Sequence, residues 1–235
     1  MALGNKDKTN VLLGNQVEEK LLELGIQTPT TKALYTMSDD AKVEAITEHL
    51  TSAMEIMGLD LTDDSLQDTP RRVAKMWVKE LFAGLKPDKF PKCTTVENKF
   101  AHEGEFVLVK NIRVKSTCEH HFMPYSDMFG SDLLGCNIAY IPNEKVLGLS
   151  KLNRVVEYFS RRPQVQERHT AQICAALQEI LGTEDVIVHM HSAHTCVSMR
   201  GVEDENSSTV TVSAGGVFAG KQSELRKEFM ANVNR

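Results

Sequence analysis

The hydrophobic pattern of this chain changes period once, near Cys93, and that change limits the folds open to it. Before Cys93 the apolar residues recur at helical spacing. In AKVEAITEHLTSAMEIMG one stripe is formed by Val43, Ile46, Leu50, Met54 and Met57. Ser38, Asp39 and Asp40 offer capping side chains ahead of it, and Gly58 supplies a stop. DTPRRVAKMWVKELFAG predicts a second helix with Thr69 as cap and Pro70 at its first position. Its apolar stripe is Val73, Met76, Trp77 and Leu81, which puts Arg72 and Lys75 off the core face.

After Cys93 the texture becomes β-branched and partly alternating. CTTVENKF and EFVLVKNIRVKST predict two strands, and CNIAYIP another. Two helices follow: SKLNRVVEYFSRR with Ser150 as cap, and PQVQERHTAQICAALQEILG with Pro163 at its start. DVIVHMHSAHTCVSMRG and SSTVTVSAGGVFAG return to strand, and QSELRKEFMANV closes with a helix. The expected plan is α+β: a helical region over residues 1–92, then a β-β-α-α-β-β domain over residues 93–235. Its sheet is antiparallel with helices on one face. A small sheet of this kind leaves two open edges, which are association hazards unless paired or covered. A homo-oligomer joining sheets edge to edge removes them.

The net charge of -5 argues against nucleic acid as a partner, since such domains are strongly basic. Any bound anion must sit in a local basic pocket. No apolar run approaches the roughly 20 residues needed to cross a bilayer, so no membrane partner is expected. MALGNKDKTNVLLG lacks the apolar core of a signal peptide. Cys93, Cys118, Cys136, Cys174 and Cys196 make an odd set without a dense disulfide spacing. That pattern suits reduced thiols and a cytoplasmic location, with some cysteines free for metal or catalysis.

STCEHHFM concentrates the chemistry. Cys118 and His121 form a C-x-x-H pair, a spacing that lets two side chains reach one metal from a tight turn. In HMHSAHTCVSMRG, read as a regular strand, side chains alternate between faces. His194 and Cys196 then point one way, and His189 and His191 the other. Cys196 is therefore the best third ligand, with His194 on the same face. Three protein ligands leave a fourth position for water, as catalytic zinc sites do. His120 and His194 would stand beside that position as proton carriers. Spacing leaves a second reading open: a structural zinc closed by His120 or His194.

Two further stretches bear on the choice. GLSKLNRVVEYF places Ser150, Lys151 and Arg154 in the first turns of a helix, where backbone N–H groups and the dipole favour an anion. Cations there oppose the dipole, so a bound phosphate would explain them; a solvated helix face is the plainer reading. RRPQVQER puts Gln166 and Glu167 early in the next helix, where a carboxylate could accept paired donors from a heterocycle or merely complement the dipole. Arg200 adds a cation close after Cys196.

TPRRVAKM, STCEHHFMP, AYIP, GLSKLNR, RPQVQER and HTCVSMRG, in this order, resemble the GTP cyclohydrolase I family from about Thr69 to the C-terminus, with a weaker match across the N-terminal helices. The resemblance implies the tunnelling fold, whose β-β-α-α-β-β units join sheets into a barrel. It also implies a homodecamer of two face-to-face pentamers with active sites between subunits. The implied reaction takes GTP and water to formate and 7,8-dihydroneopterin triphosphate, the first step toward folate and tetrahydropterin cofactors. The implied roles are one zinc per subunit on Cys118, His121 and Cys196, and acid–base work at His120 and His194, with Ser150 as a relay. Glu167 is implied as the guanine anchor, assisted by Gln166. Ser150, Lys151, Arg154 and Arg200 are implied to hold the ribose and triphosphate, with Arg72 and Lys75 contributed by a neighbouring subunit. The sequence departs from the family in FMPYSDMFGSDLLGCNI, which is longer than the usual connection and lacks its lysine. Residues 125–133 read as an extended hairpin tip, with Met123, Met128, Phe129, Leu133 and Leu134 packing on a neighbour.

Three other functions compete. A zinc nucleobase deaminase would need H-x-E with P-C-x-x-C, which is absent. A non-catalytic zinc-binding relative would have no need of His120, His194 and Glu167 together. A tunnelling-fold enzyme for another purine or pterin would not need the Lys151, Arg154 and Arg200 cations.

Overall fold

The computed structural model describes residues 8–99, 104–130 and 132–234. Helix α1 (Val11–Glu23) is capped by Asn10, whose side chain accepts from the Leu13 N–H at 3.1 Å. A short turn, α2 (Ala33–Thr36), precedes α3 (Asp39–Ile56), where Ser38 Oγ accepts from the Ala41 N–H and Gly58, at φ +81°, ends the helix as expected. Helix α4 (Thr69–Met76) starts one residue earlier than predicted, with Asp68 rather than Thr69 at the cap position. It packs on α3 through Pro70 and Ala74, its buried residues. The predicted stripe flanks that small-residue contact: Val73 and Trp77 are half-buried and Met76 is exposed. After Met76 the helix widens into a π-turn over Trp77–Leu81.

The strands are β1 (Thr95–Glu97), β2 (Val107–Ile112), β3 (Lys115–Cys118), β4 (Pro124–Ser126), β5 (Gly135–Tyr140) and β6 (Lys145–Leu147). Helix α5 (Leu149–Ser160), strand β7 (Pro163–Gln164), helix α6 (Gln166–Leu181), strand β8 (Val186–His194), helix α7 (Thr195–Ser198), strand β9 (Thr209–Ala214) and helix α8 (Glu224–Val233) follow. The antiparallel core of the sheet runs β2-β5-β8-β9, while β1 and β6 form a separate ribbon. The last residues of β8 leave β5 and pair with β4; β4 pairs with β3, and β3 runs parallel to β7.

Alternation along β5 and β8 sorts the two faces. Ile138, Val188 and Met190 meet α5 and α6 in the main core, which also takes Val17 and Leu21 of α1. Ala139 and Ile187 point the other way, onto Phe218 and the Phe229 and Val233 side chains of α8. The closing helix thus covers the face opposite α5 and α6, where the sequence reading had helices on one face alone. Among the described residues no helix is long and apolar enough to cross a membrane.

The sequence reading is corrected at five further places, each for a local reason. EFVLVKNIRVKST is two strands, because Asn111 at φ +57° bulges out of β2 and its N–H turns to Asn137 Oδ1 at 2.9 Å. Gly148, not Ser150, occupies the cap position of α5, and Ser150 lies inside its first turn. Pro163 pairs with β3 instead of opening α6, which begins after Val165. β8 ends at His194, and Cys196 sits in the helical turn α7. Finally, residues 124–126 are strand, not the start of a hairpin tip: Tyr125 and Ser126 are buried, and Ser126 Oγ donates to Val114 O at 2.6 Å.

Candidate active site

Strand β3 delivers Cys118 at its last residue, and the chain then closes on itself. The Cys118 N–H donates to Met123 O at 2.8 Å and the Phe122 N–H to Cys118 O at 2.9 Å. Glu119 is held against the start of α6 by its N–H to Gln164 O and by an ion pair with Arg168. His121 is left exposed at the tip of this turn. Thr195 Oγ1 donates to Pro124 O at 2.6 Å, which brings α7 over β4 and Cys196 towards Cys118. The ligand atoms of Cys118, His121 and Cys196 all lie within 4.8 Å of one another. The grouping expected from strand parity is therefore present, but a helical turn produces it.

Two nearly buried thiols (5% and 8% exposed) and one accessible imidazole form a set of soft donors around a common point. Burial and the facing Cys118 push the Cys196 thiol up, while the Arg200 charge nearby pulls it down. Two thiolates there would repel each other, and a cation between them removes that repulsion. This group could hold a metal ion, and it is the one set of three converging donors among the described residues. The other cysteines are ordinary thiols, Cys136 and Cys174 buried and Cys93 half-buried: burial raises Cys93 and Cys174 to about 11 and Cys136 further still.

His120 Nδ1 stands 3.8 Å from Cys118 Sγ, on the exposed side of the turn. His194 lies at the end of β8, its ring stacked on Tyr125 with centroids 4.4 Å apart and planes 8° from parallel. Its Nε2 is 2.9 Å from Gln166 Oε1. The Gln166 amide nitrogen already donates to Thr209 O at 2.9 Å and Met190 O at 3.2 Å, so its oxygen must accept. His194 therefore carries its hydrogen on Nε2 and leaves Nδ1 as the acceptor. Burial lowers the His194 pKa, opposed by the neighbouring Glu167 carboxylate, and the imidazole stays neutral near pH 7. Glu167 itself is exposed on the first turn of α6. Gln166, expected to help hold a base, is buried with both ends of its amide engaged and orients His194.

The remaining predicted site residues lie on α4 and α5. Lys151 and Arg154 flank Cys93, whose thiol they pull down against the burial that raises it. Ser150 is exposed. Arg72 pairs with Asp68 at 3.1 Å on α4, and Lys75 is exposed on the same helix. No hydrogen bond or ion pair among the described residues joins any of these five to the Cys118 turn, His194 or Glu167. Contacts and neighbouring charges within one chain tie together the metal group, the two histidines, Gln166, Glu167 and Arg200.

Residues 46–234 match the family model described as GTP cyclohydrolase I. The chain belongs to the GTP cyclohydrolase I family. A GTP cyclohydrolase 1 from Erwinia tasmaniensis is 46% identical over 217 residues, spanning 92% of this chain and 94% of that protein. One from Actinobacillus pleuropneumoniae is 47% identical over 220 residues, 94% of this chain and 96% of that one. One from Klebsiella pneumoniae is 44% identical over 217 residues. The match begins well before Thr69, so the C-terminal part of α3 and all of α4 fall within it. Sequence reasoning about this GTP cyclohydrolase I family member missed Tyr125 and His169. Tyr125 lay in a stretch read as a loop, and His169 gave no signal beyond one histidine in a helix.

Proposed function

We propose that this chain opens the guanine imidazole ring of GTP by hydrolysis, releasing formate and forming 7,8-dihydroneopterin triphosphate, the entry reaction to folate and tetrahydropterin cofactors. The observation that carries the proposal is the three-donor group flanked by two histidines, one of them held in a fixed tautomer. Cys118, His121 and Cys196 would hold one zinc ion per subunit, which supplies a water whose pKa is lowered to about 7. The acceptor nitrogen of His194 is the group suited to exchanging a proton with N7 of the guanine ring. Gln166 and Tyr125 keep that imidazole from turning. His120, open to solvent, serves as the second proton carrier, with Ser150 as a relay during ribose rearrangement. The Glu167 carboxylate accepts from the guanine N1–H and N2–H, a paired contact that selects this base.

Lys151, Arg154, Arg200, Arg72, Lys75 and Ser150 provide the ribose and triphosphate pocket. The triphosphate does not react, so these groups act by positioning. Five of them make no hydrogen bond or ion pair to the metal half, and we take the site to be completed between subunits. That supports a homodecamer of two pentamers whose sheets join into a barrel, with the metal and acid–base groups all in residues 93–235. A cytoplasmic location follows from the substrate. The direct test is incubation of metal-replete protein with GTP, measuring formate and the fluorescence of the oxidised pterin. Release of ammonia without formate would assign a deaminase instead.

A further inference from the structure

Phe122, the residue after His121, has φ +53°. A bulky aromatic in the left-handed region is a genuine outlier, and this place in a closed turn is one that glycine ordinarily fills. The turn demands the conformation, because the Phe122 N–H reaches back to Cys118 O while Met123 O accepts from the Cys118 N–H. Burial does not explain the choice of phenylalanine: the residue is 44% exposed.

What the ring does contact is a pair of aromatic residues from the helical region. Trp77 lies edge-on at 5.6 Å and 78°, and Phe82 at 5.2 Å and 59°. These two mark the ends of the π-turn, which closes through the Phe82 N–H to Trp77 O at 2.9 Å. In an α-helix, residues three and four apart are neighbours, and residues five apart are not. The extra residue in the turn sets the two rings 6.5 Å apart, on the same side. Such π-turns are rare and frequently sit at functional sites. The turn and the segment after it are tied to the start of α3 by Lys79–Asp40 and Lys86–Asp39, each at 2.5 Å.

From these two irregularities, one beside a metal ligand and one aimed at it, we infer that Trp77 and Phe82 clamp Phe122 in its left-handed conformation and thereby fix His121 relative to Cys118 and Cys196. Trp77, Phe82 and Phe122 are positioning residues for the metal group, and through them the helical region governs how tightly the site keeps its ion. The inference rests on the metal reading of the three donors and adds residues that touch neither ion nor substrate.

The test is zinc affinity of the full-length protein, measured by competition with a chromophoric chelator. Removing an outer partner of a metal ligand commonly weakens binding about 10-fold to 100-fold. Phe122→Ala, and Trp77→Ala combined with Phe82→Ala, should each weaken zinc by about tenfold. Phe122→Gly should bind about fivefold more tightly than Phe122→Ala, because glycine takes the left-handed conformation without the steric penalty. Adding Phe122→Gly to the Trp77/Phe82 pair should likewise recover affinity. Glycine binding no better than alanine would overturn the clamp, since loss of ring packing alone would then account for the effect. Wild-type affinity in the alanine variants would overturn it as well. If the double variant does not fold, the alanine–glycine comparison at residue 122 decides by itself. A wild-type protein without zinc affinity would instead refute the metal reading.

Discussion

Acid should destabilise this protein through His169, and the structure gives both sign and size. His169 is fully buried in α6 between two hydroxyls, Tyr125 O–H at 2.8 Å from Nδ1 and Ser160 Oγ at 3.3 Å from Nε2. The Ser160 hydroxyl already donates to Val156 O at 2.7 Å, so it accepts from the Nε2–H, and Nδ1 accepts from Tyr125. The neutral ring is satisfied on both sides, and a second proton would have to displace the tyrosine hydrogen. Burial, reinforced by the Arg162 and Arg168 charges, lowers its pKa to about 3. The unfolded value is about 6.5, so between these limits the unfolded chain binds a proton that the native state does not. The contribution is complete above pH 6.5 and is lost as pH falls. At pH 5 the deficit is about 1.5 pKa units at 1.36 kcal/mol each, or about 2 kcal/mol. His189, lowered to about 4 by burial and by His191, adds a second proton over much of the same range. Urea unfolding from pH 7.5 to 5 should give a slope in free energy that His169→Gln reduces by about one proton's worth, 1.4 kcal/mol per pH unit. Equal slopes in the two proteins would show that His169 is already charged in the native state.

Three other outcomes are expected. Cys118→Ser and Cys196→Ser should each lose most of the bound metal and all measurable turnover, since three donors leave no spare; full occupancy by metal analysis would refute the ligand set. His194→Ala and Arg154→Ala should each be inactive alone, yet regain about a quarter of wild-type activity when mixed in equal amounts and allowed to exchange subunits. No recovery after exchange confirmed by native mass spectrometry would place both halves of the site in one subunit. Gly84→Ala should cost about 1–3 kcal/mol in urea unfolding by overpacking, because its Cβ would fall 2.1 Å from Tyr158 O and strain the Gly84 N–H bond to Arg161 O. An unchanged midpoint would mean that this contact yields freely.

The regular parts of the fold were legible from pattern alone. The α3 stripe recurs through Val43, Ile46, Leu50 and Met54 while Met57 falls exposed beyond the helix end; the serine cap and glycine stop recur, as do α5, α6, α8 and the antiparallel sheet core. Each follows from local periodicity, to which tertiary contacts add little. Where tertiary contacts decide, pattern fails. The β2 bulge at Asn111 depends on a hydrogen bond to Asn137, a residue 26 positions away. The burial of Tyr125 depends on β8 leaving β5 to pair with β4. The role of Gln166 depends on carbonyls of β8 and β9 that fix its amide.

Several of the irregularities gather in one place. The end of β8, the turn after β3, the π-turn and the stretch carrying Tyr125 all border the metal group, and each breaks a rule that holds elsewhere in the chain. A regular strand through Cys196 would place its thiol by alternation alone; the structure instead stops β8 at His194 and turns the chain through α7. The stop lets His194 stack on Tyr125 while Cys196 turns toward Cys118, two directions that one pleated strand could not serve. An αL glycine at residue 122 would close the ligand turn without strain, yet phenylalanine is there with two aromatic partners from another region. Irregularity of this kind persists only where surrounding contacts over-determine it. In this chain those contacts converge on three donors and one oriented imidazole, so the departures from local pattern mark the site as clearly as the motif does.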